Sequence, residues 1–278
     1  IDSWTLSHSA DKPWIDYGLT RGMGSLGFAL TAVIFGFFLD KYGYNIMFYI
    51  HFVFVIISVV FCFIIEPGRN KPVLKNVDNR GKMSIGEIKF KDLVKFIWFL
   101  IAATLVFTGF RANATFFPLL LTERGGNNSM LGMAFFIMAG SEFPVLFASK
   151  KLLMKFKDTT LITVSMVFFC VRILCHILAV PVSLLILSQI TQGLSFALFL
   201  PACVYYIRRI APSGLTSTYL TIATSCYFGI GGILGSYFGG IITESYGIFT
   251  MLNSSLILTV IGLLVFIFAG RDNYVITH

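Results

Sequence analysis

The chain alternates long apolar blocks with short polar breaks. Eight blocks, at about residues 22–40, 46–65, 93–117, 129–149, 160–180, 182–207, 214–243 and 248–269, approach or exceed the roughly 20 residues a helix needs to cross hydrocarbon at about 1.5 Å per residue. Several are longer than the minimum and must tilt, kink or project beyond the hydrocarbon. One polar break is long. It runs from Glu66 to Lys95 and holds Pro67, Gly68, Pro72, Asn76, Asp78, Asn79 and Gly81, which is linker chemistry. The pattern predicts two helices, a linker and six more helices: an all-α, polytopic transmembrane bundle.

Composition supports lipid as the solvent. Hydrophobic residues make up 56% of the chain and charged residues only 12%, about half of what a soluble domain uses to cover its surface. The five cysteines, Cys62, Cys170, Cys175, Cys203 and Cys226, all fall inside apolar blocks without metal-ligand spacing, and read as small buried hydrophobes. No cofactor is expected.

The net charge of +8 raises the possibility of a nucleic-acid partner. Charge placement removes it. With the first residues on the cytoplasmic side and the spans alternating outward, 17 of the 21 Lys and Arg residues fall on the cytoplasmic face. Lys41 and Arg124 lie outside, and Arg111 and Arg172 lie within spans. This is the positive-inside pattern, and it predicts a cytoplasmic linker and C-terminus.

A repeat sets the architecture. Gly36-Phe-Phe-Leu-Asp40-Lys-Tyr42-Gly43 closes the first span, and Gly240-Ile-Ile-Thr-Glu244-Ser-Tyr246-Gly247 closes the seventh. The constant offset also pairs Gly27 with Gly231. If spans one and seven are equivalent, the unit is six helices, and about four helices are expected ahead of residue 22. The chain starts at Ile1 and reads as a trimmed piece. Residues 1–65 are expected to end one six-helix half, 66–92 to form the linker and 93–278 to form the second half.

The run Gly22-Met-Gly24-Ser25-Leu-Gly27 spells a dinucleotide fingerprint, but it opens a membrane span with no strand before it. Its small residues suit close helix packing, as do Gly231, Gly235 and Gly239. Asp40-Lys41-Tyr42-Gly43 after Gly36 resembles a facilitator loop signature, yet charge alternation puts it on the outer side, where it reads as a turn.

Ionisable groups inside spans cost roughly 2.5–3.5 kcal/mol each and usually line a cavity or have a partner. Glu142 lies about 18 Å below the outer end of its span and Arg172 about 18 Å above the inner end of the next, at 1.5 Å per residue. In about 30 Å of hydrocarbon these depths differ by some 6 Å, so a Glu142–Arg172 pair is expected in a central polar cavity. Arg111 reads as a snorkelling residue, and His176 as a hydrogen-bonded packing residue or a proton relay. Gln192, Ser195, Asn113 and Tyr205 could offer uncharged hydrogen bonds to a solute.

The stretch from Asp16 through Arg21 and Ser25 to Phe28-Ala29-Leu30 resembles the start of helix five in the lactose permease branch of the major facilitators. The likeness continues through Ser141-Glu142, Val171-Arg172-Ile173, Ala202-Cys203-Val204-Tyr205-Tyr206-Ile207 and Glu244-Ser245-Tyr246-Gly247. It implies that the spans are helices five to twelve of a secondary transporter in the cell membrane, working as a monomer. The substrate would be a sugar- or nucleoside-like solute moved with protons. By the same resemblance, Arg21 and Asp2 bind the solute, Phe28 replaces a sugar-stacking Trp and Ser25 sits beside it. Glu142 and Arg172 couple the proton by that resemblance, while Asn113 and Gln192 stand as further solute contacts on their hydrogen-bonding chemistry alone. Gln192 and Ser195 stand where that branch carries a histidine and a proton-carrying glutamate, so its proton route is not reproduced here. Drug efflux on the same fold and a non-transporting sensor are the alternatives.

Overall fold

The computed structural model describes residues 17–43, 45–64, 90–179, 181–212 and 214–270. Among them every regular element is helical: α1 (Tyr17–Tyr42), α2 (Asn45–Ile64), α3 (Phe90–Glu123), α4 (Asn128–Lys155), α5 (Asp158–Leu178), α6 (Val182–Ile210), α7 (Thr216–Tyr246) and α8 (Ile248–Ala269). Seven of these are long and apolar enough to cross a membrane, and Asn45–Phe61 of α2 is a shorter apolar segment. Each expected span meets one helix. Asp2 lies outside the described residues, as does most of the stretch assigned to the linker, although α3 already begins at Phe90.

Helix α3 exceeds the expected 93–117 because its chain continues through Pro118 to Glu123. Helices α6 and α7 each contain a wider, π-type stretch, at Gly193–Ala197 and Ser225–Ile230. These insertions re-aim the side chains beyond them, and no apolar periodicity announces them.

The repeat noted in the sequence recurs in the backbone. Gly43 ends α1 at φ +74°, and Gly247 ends α7 at φ +83°. Each N–H donates to a carbonyl four residues back, Leu39 and Thr243, at 3.0 Å. Left-handed φ favours glycine because it has no Cβ.

Packing depends on small residues. Helix α3 sits between α7 and α8. A Cβ on Gly235 would lie 2.4 Å from the Thr108 carbonyl oxygen, and one on Gly262 2.8 Å from that of Ala102. Around α3 the buried rings of Phe99, Phe107, Phe169, Phe199 and Tyr206 form the core. Helix α1 rests on α4 by the same device: a Cβ on Gly132 would lie 2.4 Å from the Ala32 carbonyl oxygen, and one on Gly36 2.6 Å from that of Asn128. The outward surface carries large exposed apolar side chains such as Phe48, Phe63, Phe147 and Phe268. Such a surface belongs in hydrocarbon.

Candidate functional site

Two neighbouring polar arrangements occupy the space between α1, α3, α4, α5 and α6. The first is centred on Glu142 of α4. Its position follows from a backbone contact: a Cβ on Gly193 would lie 2.3 Å from the Ser141 carbonyl oxygen. Only glycine permits that approach. The Gly193 N–H donates to Ser141 Oγ at 3.1 Å. The neighbours of the touching residues, Glu142 and Gln192, are thereby brought together. Gln192 Nε2 donates to Glu142 Oε1 at 3.1 Å. From the other side Ser25 Oγ of α1 donates to Glu142 Oε2, also at 3.1 Å. One carboxylate therefore joins α1, α4 and α6.

The second arrangement is a buried chain. Arg172 Nη2 donates to Gln189 Oε1 at 2.6 Å. Gln189 Nε2 lies 3.0 Å from His176 Nε2, and His176 Nδ1 lies 2.8 Å from Asn113 Oδ1. None of the four is more than 3% exposed. Arg172 and His176 are four residues apart and share one face of α5.

The direction of this chain follows from its first member. A guanidinium only donates, so the Gln189 atom facing it is the oxygen. The amide nitrogen must then donate to His176 Nε2, which is a lone pair. The ring proton therefore sits on Nδ1 and is donated to Asn113. His176 is neutral in this arrangement. Arg172 Nη2 also touches Met138 Sδ at 3.7 Å, and its guanidinium lies 5.7 Å from the Phe110 ring centre. Its Nε and Nη1 are buried without hydrogen-bond partners. Such an unmet donor costs about 1–3 kcal/mol, so the site retains unused binding capacity.

The expected direct Glu142–Arg172 contact is not made. Glu142 is held by Ser25 and Gln192, while Arg172 turns to Gln189. The two still interact electrostatically through space. Between Arg172 and Glu142 the described contacts are made by amides, Gln189 to the guanidinium and Gln192 to the carboxylate.

The other nominated residues divide. Ser25 and Gln192 meet Glu142, whereas Asn113 is engaged with His176. Phe28 is half-exposed, with its ring 6.1 Å from that of Phe135. It lines a mainly apolar cavity of about 610 Å³ with Phe35, Leu39, Met47, Leu121 and Phe135, and neither Ser25 nor Glu142 lines it. The side chain of Arg21 lies outside the described residues. Ser195 donates to backbone carbonyls of its own helix, Thr191 and Gln192. Arg111 is exposed beside Gly232 of α7. Gln189 carries no charge or motif that singles it out in the sequence. Its one legible signal was its place a turn before Gln192 in an otherwise apolar span.

The sequence profile of the MFS_1 like family matches residues 1–253. The maltose permease of Geobacillus stearothermophilus is 28% identical over 276 residues, covering 97% of this chain and 67% of that protein. An uncharacterized transporter of Bacillus subtilis (strain 168), YwbF, is 27% identical over 240 residues, covering 85% of this chain and 58% of that protein. The chain thus spans about two thirds of the first relative's length and less of the second's.

Proposed function

Because this chain belongs to the MFS_1 like family of membrane transporters, we propose that it forms helices five to twelve of a secondary transporter that moves a sugar- or nucleoside-like solute by alternating access, coupled to protons. In this reading α1 and α2 close one six-helix half. The linker is cytoplasmic, and α3 to α8 form the other half with a cytoplasmic C-terminus in the cell membrane. The protein works as a monomer. Rocking of the two halves about a midplane site opens it to one side at a time.

The observation that carries the reading is the bridge at Glu142. Its two oxygens accept from residues on opposite sides of the linker, Ser25 and Gln192. A carboxylate shared in this way senses the separation of the halves and can exchange a protein donor for a solute hydroxyl. Asp2, Arg21, Ser25 and Phe28 would present one wall of the solute site. Asn113 and Gln192 would present the other, with Glu142 and Arg172 coupling the two. The similarity to a maltose permease favours an oligosaccharide.

The test is counterflow of labelled maltose and uridine in proteoliposomes holding the full-length protein. Exchange of one of them is expected. Glu142→Gln should lower it about 10- to 150-fold, the equivalent of losing a charge-assisted hydrogen bond worth roughly 1.5–3 kcal/mol. A full-length protein inert towards both solutes would overturn the reading in favour of a sensor. Export combined with tolerance of Arg21→Ala would overturn it in favour of efflux.

A further inference from the structure

The chain Arg172–Gln189–His176–Asn113 has a fixed direction, and that direction makes it sensitive to one proton. We infer that His176, positioned by Gln189, carries the coupled proton, and that proton uptake transfers Arg172 from Gln189 to Glu142. The inference rests on the proton-coupled reading above and assigns its carrier.

In the structure His176 Nε2 accepts from Gln189 Nε2 at 3.0 Å. A proton added at Nε2 makes that contact donor against donor. Turning the Gln189 amide over restores an acceptor for the ring, but it points the amide nitrogen at Arg172, now 2.6 Å away. That contact then becomes donor against donor, since a guanidinium has no acceptor. The imidazolium and the guanidinium would also repel each other where water cannot screen them. Arg172 must leave Gln189.

Its destination is visible. Arg172 Nη2 already touches Met138 Sδ at 3.7 Å. Met138 lies one turn before Glu142 on the same face of α4, so the guanidinium has about 5.4 Å to travel. Glu142 acts on Arg172 electrostatically from its present position. The buried Nε and Nη1 of Arg172, unpartnered here, would gain carboxylate acceptors there. Pairing with Arg172 competes with the Ser25 hydroxyl for Glu142. A proton on α5 is therefore read at the contact between α1 and α4. The proton binds Nε2 and leaves from Nε2, so no bond other than that N–H is made or broken.

Among the described residues the charged and titratable groups around the ring are few, and Glu142 is the one that competes for the proton. Helix α8, which packs on α5, carries no titratable side chain over Ile248–Val265. Helix α3 brings Asn113 and Phe117 to the ring, and its Arg111 is exposed beside α7. Helix α6 brings Gln189. Helix α4 contributes Met138 and Glu142, and Arg172 belongs to α5 itself.

Two measurements on the full-length protein decide the matter. In proteoliposomes under an imposed pH gradient, His176→Gln should lower the ratio of maltose accumulation to maltose exchange by about tenfold or more. A structural role would lower both together, and an unchanged ratio overturns the inference. The second measurement needs no solute. In ¹⁵N-histidine NMR, His176 should be the Nδ1–H tautomer at neutral pH and become imidazolium as the pH is lowered, with the transition displaced in Glu142→Gln and the tautomer preference lost in Gln189→Leu. An Nε2–H tautomer, or no transition, overturns the inference even if maltose is transported. If the wild type does not exchange maltose, the oligosaccharide reading fails, and the NMR result alone decides the proton carrier.

Discussion

Adding one methyl group at Gly132 probes the contact between α1 and α4 most directly. The new Cβ would lie 2.4 Å from the Ala32 carbonyl oxygen, 3.2 Å from its carbonyl carbon and 3.3 Å from Gly36 Cα. All three obstacles are backbone, so no side chain can swing aside. Restoring an ordinary separation of 3.4 Å requires the helices to part by about 1 Å. Overpacking of this kind costs about 1–3 kcal/mol. If the cost falls on the state in which α1 and α4 touch, the population of the parted state rises about 5- to 150-fold. Ala29, on α1 and fully buried here, reports it. In a background without the native cysteines, alkylation of Ala29→Cys by N-ethylmaleimide should accelerate by that factor when Gly132→Ala is added. Gly140→Ala is the control, because it lies on the same helix with nothing within 4 Å of its Cβ position. Equal rates in the two variants would refute the reasoning.

Two further outcomes are expected. Asp40 of α1 accepts from the backbone N–H groups of Asn128 and Ser129 at 3.2 and 2.8 Å, and from the Ser129 hydroxyl, so it caps α4 from a neighbouring helix. Asp40→Ala should cost about 1 kcal/mol and raise Ala29→Cys alkylation roughly fivefold; an unchanged rate would mean that the cap does not hold the helices together. Arg209 of α6 grips Asp158 of α5 in a fork, Nε to Oδ2 at 2.9 Å and Nη2 to Oδ1 at 3.1 Å, with both side chains largely buried. Arg209→Lys keeps the charge but loses the fork, and should lower stability in detergent by about 1–3 kcal/mol, measured as a fall in the thermal midpoint; an unmoved midpoint would show that charge alone suffices there.

The eight helices were legible because lipid imposes one rule, sustained apolar length, that any 20-residue window reveals. The close approaches were partly legible. Gly231 and Gly235 stood out by spacing, but Gly132 and Gly193 touch helices far away in sequence, and no local pattern marks them. Glu142 and Arg172 were found because charge in a span is costly. Ser25 and Gln192 read as solute contacts rather than as partners of Glu142, and Gln189 is not singled out, because amides and hydroxyls are common in such helices and only the fold selects among them. The sequence alone reads His176 as packing or relay, and its tautomer is readable only because Arg172 fixes the orientation of Gln189. The wide turns in α6 and α7 left no trace in hydropathy, since they change backbone bonding without changing which residues are apolar.

The matched glycines at the ends of α1 and α7 carry a consequence for depth. Nothing lies within 4 Å of a Cβ at Gly43 or Gly247, so no neighbour demands glycine at either place. Its role is to terminate the helix. A duplicated ancestral segment would leave such a pair, and each copy sets where its rod ends. Counting back from Gly43 puts Ser25 about 27 Å along the axis. The stop signal at one end of the rod thus acts as a ruler for the hydroxyl that meets Glu142.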